Sequence, residues 1–169
     1  MQRTLLAVMF AAALAVALTT ATPTPAQAYG LAGVGFSGGF ADPEDLDGAL
    51  VIGGHLEFEE RGSRLHLQPN LRYWSSGRVS DVNPNFDIYY HFGPAASAAP
   101  YLGAGFGLHF LRIDRPRFRD ANETNAGLNL LGGVIFPGRS ASFFLEGRLA
   151  LTELDTTSIV GGVTFRTGH

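Results

Sequence analysis

The sequence predicts an all-β protein, an eight-stranded antiparallel up-and-down transmembrane β-barrel preceded by a cleaved signal peptide. Three observations lead there. Beyond residue 28 the chain divides into segments of about ten residues that alternate apolar with polar or small side chains, the period of a β-strand. The N-terminus reads as an export signal. The connections between segments alternate in length, as they do in barrels with short periplasmic turns and longer external loops.

Alternation alone does not say which face is inside. In the 50–73 hairpin, Leu50, Ile52, Leu56 and Phe58 share one face, while His55, Glu57 and Glu59 occupy the other. Past Arg61-Gly62 the pattern resumes with Leu65, Leu67, Leu71 and Tyr73 opposite Arg64, His66, Gln68, Asn70 and Arg72. A water-soluble barrel would bury the leucines and expose the charges; a membrane barrel does the reverse.

The leader favours the second arrangement. Arg3 precedes an apolar run over 5–18, and Ala26-Gln27-Ala28 supplies a small-x-small cut site, so residues 1–28 are expected to be a signal peptide and 29–169 the mature domain. No later stretch has the roughly 20 continuous apolar residues of a membrane helix. Any further residence in a membrane must therefore be as a barrel.

Strands are expected near 29–40, 49–60, 63–74, 84–92, 99–111, 126–136, 141–151 and 156–167. The connections are then moderate at 42–48, tight at 61–62, long at 75–83, intermediate at 93–98, long at 114–125, tight at 138–139 and short at 153–155. With the N-terminus in the periplasm, the second, fourth and sixth connections face the periplasm. Two-residue turns at Arg61-Gly62 and Gly138-Arg139 would pair Glu59 with Arg64, Glu57 with His66 and His55 with Gln68. They would also pair Leu131 with Glu146, Asn129 with Arg148 and Val134 with Phe143.

The same parity places Asp87, Tyr89, His91, Tyr101, His109 and Arg166 inward, and Phe86, Ile88, Tyr90, Leu102, Phe106, Leu108, Ile159 and Phe165 outward. A narrow interior makes an unpaired charge costly. The polar network of the lumen is therefore expected to comprise His55, Glu57, Glu59, Arg64, His66, Gln68, Arg72, Asp87, His91, His109, Asn129, Glu146 and Arg148. Outward aromatic residues sort to strand ends, with Phe58, Phe92, Phe136, Phe143 and Phe165 at one edge. Phe40, Tyr73, Phe86 and Phe110 fall at the other, the girdles of a membrane barrel.

Composition narrows the function. There is no cysteine, so no disulfide, thiolate chemistry or thiolate metal site. The formal net charge of −3 argues against a nucleic-acid partner. All twelve basic residues are Arg, whose planar fork suits carboxylate pairing inside a barrel and phosphate outside.

In these features the chain resembles the small eight-stranded outer-membrane β-barrel domain family over residues 29–165. The most family-like stretches are 100–108 (Pro-Tyr-Leu-Gly-Ala-Gly-Phe-Gly-Leu), 127–137, 143–148 and 159–166. The resemblance implies a monomer in outer-membrane lipid and lipopolysaccharide, inserted by the barrel-assembly machinery. Family members usually end on an aromatic residue that this machinery recognises. Here Phe165 is followed by Arg166-Thr167-Gly168-His169.

The family includes lipid-modifying enzymes, and a Ser/His/acid site needs a hydroxyl beside an oriented base. No serine occupies a matching position beside His66, His91 or His109, and the outward face near the external rim holds no His, so no enzyme is expected. Asp42, Glu44, Asp45 and Asp47 fail the calcium-hand pattern, with Pro43 and Gly54 at ligand positions. The inward histidines fall on different strands and are expected at different heights, which predicts no metal site and no cofactor. Arg112, Arg115, Arg117 and Arg119 cluster in the third external connection, a place to contact lipopolysaccharide phosphates. The expected function is a non-enzymatic outer-membrane barrel acting in envelope structure or surface interaction. Alternatives are a soluble periplasmic barrel binding a small apolar ligand, with faces reversed, and a lipid-modifying barrel enzyme.

Overall fold

The computed structural model describes residues 29–60, 62–93, 98–113 and 121–167. Its strands are β1 (Gly30–Pro43), β2 (Ala49–Glu59), β3 (Leu65–Ser76), β4 (Val79–His91), β5 (Ala99–Ile113), β6 (Ala121–Phe136), β7 (Ala141–Leu151) and β8 (Thr156–Arg166). Each pairs antiparallel with its sequence neighbours, and β1 pairs with β8 to close the barrel. Closure leaves no unpaired edge. Residues 1–28, expected to be the leader, lie outside the described residues.

The faces are inverted relative to a water-soluble barrel. Phe40 is 71% exposed, Leu50 69% and Leu102 63%, while Asp81 and Asp87 are fully buried. Leu56, Leu108 and Leu149 are exposed and Leu67 is half-buried, whereas Arg148 is buried. That is the opposite of what a reversed barrel with an apolar interior requires.

Register differs from the two-residue turns read from sequence. Glu59 faces His66, His55 faces Asn70 and Phe58 faces Leu67. Likewise Leu131 faces Arg148, Gly133 faces Glu146 and Phe136 faces Phe143. Both hairpins are displaced by two residues from the expected pairing because their connections, 60–64 and 137–140, are longer. In the first, the Ser63 amide donates to the Glu60 carbonyl (2.9 Å) and Gly62 takes φ +81°; Arg61 lies outside the described residues. In the second, Pro137 has no amide hydrogen to extend the ladder. A displacement of two keeps every side chain on its face.

The larger correction concerns β4. Residues 75–83 were expected to form a long loop, yet β3 and β4 run on to a tight Gly77-Arg78 turn, with Ser76 paired to Val79 and Gly77 at φ +57°. The polar stretch after the turn belongs to the strand, with Asp81, Asn83, Asn85 and Asp87 all buried inside. β6 similarly begins at Ala121 rather than near 126. The connections at the end remote from the termini are thus 44–48, 77–78, 114–120 and 152–155; those at the termini end are 60–64, 92–98 and 137–140. The expected alternation of short and long connections is absent. Phe86 also moves: with β4 lengthened it sits mid-strand, stacked on Phe106 at 5.9 Å, and not at the rim.

Glycine makes room inside. Gly133 faces inward, where a Cβ would come within 2.9 Å of the Tyr101 ring. Gly105, paired with Asp87, leaves space for that carboxylate in the same way.

Candidate functional site

The interior is layered along the barrel. In the middle, Arg148 of β7 places Nη2 2.6 Å from Asp87 Oδ2 of β4 and 3.3 Å from Glu146 Oε1. Arg72 of β3 places Nη2 2.6 Å from the same Glu146 oxygen, and the Tyr101 hydroxyl donates to Glu146 Oε2 (2.8 Å). Two guanidinium groups and two carboxylates therefore balance within one network. Around them Asn70 donates to Asp87 Oδ2 (2.7 Å), and Asn129 donates to Asn85 Oδ1 (2.7 Å) and Asp87 Oδ1 (3.2 Å). Buried charges endure only when paired and hydrogen-bonded, as these are.

Toward the termini end lies an aromatic stack. The His66 ring stacks on Tyr89 (5.1 Å) and on His91 (4.3 Å), and Tyr101 packs against both Tyr89 and His91. Glu57 accepts from the Tyr89 hydroxyl at 2.8 Å. Toward the opposite end, His109 Nδ1 lies 2.7 Å from Asp81 Oδ2. Beside and beyond that pair lies an apolar cluster: Ala41, Ala49, Val51, Trp74 and Leu111 are buried with Val160, Leu46, Val79 and Leu154 pack against them, and Ser76, Thr156 and Ser158 are buried at the same end.

Of the residues expected inside, His55, His66, Gln68, Arg72, Asp87, His109, Asn129, Glu146 and Arg148 are buried, and Glu57 and His91 are half-buried. Two are placed elsewhere. Arg64 is exposed in the 60–64 connection, because β3 starts only at Leu65, and Glu59 is exposed at the rim where β2 ends. The premise that the inward histidines are separated in height is also wrong for one pair. Ligating atoms of Glu57, His66 and His91 lie within 4.8 Å of one another, because the tight β3–β4 hairpin sets His66 opposite Tyr89 and so brings the start of β3 alongside the end of β4.

Sequence reasoning missed Asp81, Asn83 and Asn85 because Asp, Asn and Pro together signal a turn. Their period of two was the available sign. The apolar end of the interior was also missed, since Val51, Trp74, Leu111 and Val160 occupy inward slots in strands otherwise read as polar on that face. Arg112 is exposed at the end of β5; Arg115, Arg117 and Arg119 lie outside the described residues.

The hydroxyl, base and acid of a catalytic triad are not assembled among the described residues. His55 Nε2 meets the Thr164 hydroxyl at 2.8 Å, whereas the acid accompanies His109, whose Nε2 has no hydrogen-bond partner. Glu57 likewise accompanies His66, so the hydroxyl and the acids sit on different histidines.

A closed eight-stranded barrel with apolar residues outside and paired polar residues inside has the architecture of an outer-membrane β-barrel. Solved structures of that class share the fold. Neisserial surface protein A (NspA) superposes with a TM-score of 0.66 at 14% identity, covering 80% of this chain and 95% of its own. The N-terminal β-barrel domain of Pseudomonas aeruginosa OprF gives 0.66 at 16% identity, covering 82% and 99%. Ail, the attachment invasion locus protein of Yersinia pestis, solved in complex with the heparin analogue sucrose octasulfate, gives 0.54 at 10% identity, covering 81% and 97%. No protein-family model and no curated protein matches the sequence.

Proposed function

We propose that this chain is a non-enzymatic integral outer-membrane β-barrel with a polar, side-chain-filled lumen. In this reading it contributes to envelope structure or surface interaction through its external loops. The observation that carries the proposal is the inversion of faces: a continuous outer belt of Phe, Leu, Ile and Val over a closed interior holding Arg72, Asp87, Glu146 and Arg148. An apolar surface of that extent on a monomer calls for an apolar surrounding.

With the leader removed after Ala28, the termini end faces the periplasm and connections 44–48, 77–78, 114–120 and 152–155 face outward. The interior is crossed by ion pairs and closed at the outer end by Trp74 and its neighbours, so the barrel serves as a scaffold and not as a diffusion pore. Phe165, exposed near the end of β8, acts as the aromatic signal for the assembly machinery. Arg112, Arg115, Arg117 and Arg119 offer charge to lipopolysaccharide phosphates at the outer leaflet. The sulfated sugar bound to Ail shows that a barrel of this fold can engage a polyanion.

Cell fractionation tests the placement. Recovery in the outer membrane, with gel mobility that changes on boiling, is expected; recovery in soluble periplasm overturns it. Replacing Arg112 and the three arginines of the 114–120 connection with Gln should weaken retention on immobilised lipopolysaccharide without altering the boiling shift. Unchanged retention would remove the loop from the proposal.

A further inference from the structure

We propose that Glu57, His66 and His91 form a binding site for one divalent transition-metal ion of the zinc class at the termini end of the barrel. Three observations meet there. The donor atoms converge from three adjacent strands to within 4.8 Å. His66 Nδ1 lies 2.8 Å from Glu57 Oε1, at ion-pair distance, and His91 Nε2 is buried without a hydrogen-bond partner. Buried polar atoms without partners are rare enough to call for an explanation. Finally, Glu57 is already oriented by the Tyr89 hydroxyl at 2.8 Å, the outer support that metal-ligating carboxylates characteristically have.

The donor chemistry selects the ion. Two imidazoles and one carboxylate with an open fourth position constitute a zinc set, and imidazole suits zinc, copper and nickel better than calcium or magnesium. With metal–donor bonds near 2.0–2.1 Å, tetrahedral geometry places donor atoms about 3.4 Å apart. The widest separation, at most 4.8 Å, must close by up to about 1.4 Å and the 2.8 Å His66–Glu57 contact must open by about 0.6 Å, which χ rotations of His91 and Glu57 near the strand ends can supply. Beside this set, Glu59 Oε2 stands 3.6 Å from His66 Nδ1 on a side chain open to water. The bound ion would tie β2, β3 and β4 together beside the 60–64 and 92–98 connections. The site is separate from the lipid-facing surface and the outer loops, so its failure would leave the proposed barrel function standing.

Untagged, chelator-treated protein folded in detergent would be titrated with Co²⁺, monitored by visible absorption, and with Zn²⁺ by calorimetry. One equivalent of each is expected, with the visible bands of tetrahedral cobalt displaced by zinc. His91→Ala and His66→Ala should each weaken binding by at least about tenfold, and Tyr89→Phe by about tenfold through the lost support of Glu57. His109→Ala, outside the site, should bind as the parent does. The boiling shift on gels identifies the folded variants, and His91→Ala at the strand end is the one best placed to fold. Absence of a stoichiometric cobalt spectrum overturns the proposal, as does binding undiminished in folded His91→Ala.

Discussion

Arg148 reaches from β7 across the barrel to Asp87 on β4, Nη2 to Oδ2 at 2.6 Å, and neither side chain has more than a trace of exposure. The pair joins strands that are not neighbours in the sheet, so it fixes the barrel's cross-section, which ladder hydrogen bonds alone do not. Arg148→Ala leaves Asp87 buried without a cation, while Glu146 keeps Arg72, and should destabilise the fold by about 3–5 kcal/mol, the cost of breaking a buried pair. Urea unfolding in lipid vesicles, followed by the fluorescence of the single Trp74, measures it. A change below about 1 kcal/mol would show that water replaces the guanidinium.

Phe106 lies mid-strand on the outer face, 59% exposed and stacked on Phe86. If that face meets hydrocarbon, Phe106→Arg should cost about 2–4 kcal/mol in vesicles, the penalty for a cation near the bilayer midplane. An exposed aqueous face would accept the same change within about 0.5 kcal/mol. The same unfolding assay separates these outcomes.

Glycines on the two faces should respond differently. Gly133→Ala drives its methyl group against the Leu145 carbonyl oxygen first and the Tyr101 ring second, and should destabilise by about 1–3 kcal/mol through overpacking. Gly147→Ala faces outward, where the new Cβ lies 3.9 Å from the nearest atom, the Gly132 carbonyl oxygen, so little change is expected. Equal effects at both positions would count against the inward packing role of Gly133.

The Gly77-Arg78 turn is specific to the short β3–β4 hairpin. Gly77→Val forces a β-branched residue into a left-handed conformation and should cost about 1–2 kcal/mol. In a long loop spanning 75–83 the same substitution would be almost silent. Chemical denaturation of the two proteins decides between the hairpin and the loop.

The sequence by itself determined the number and sequence order of the strands and the face on which most of their side chains lie. A strand's period of two is local and survives errors in turn length. Leu56 and Leu102 outside, and His55, Arg72 and Arg148 inside, could therefore be read directly. Strand ends were harder where turn-forming residues serve as lumen residues: Asp81, Asn83 and Asn85 resemble a loop until a polar interior gives them partners. Only the tertiary structure decided who meets whom. Register displaced by two residues leaves each face unchanged while giving every cross-strand pair a new partner. Closure of β8 on β1 then brings residues from distant strands across one narrow interior. The Arg72–Glu146–Arg148–Asp87 network and the apolar cluster around Trp74 depend on that closure, and the convergence of Glu57, His66 and His91 on the register of β3 against β4. They depend on strand pairing and barrel circumference, which no local window of sequence contains.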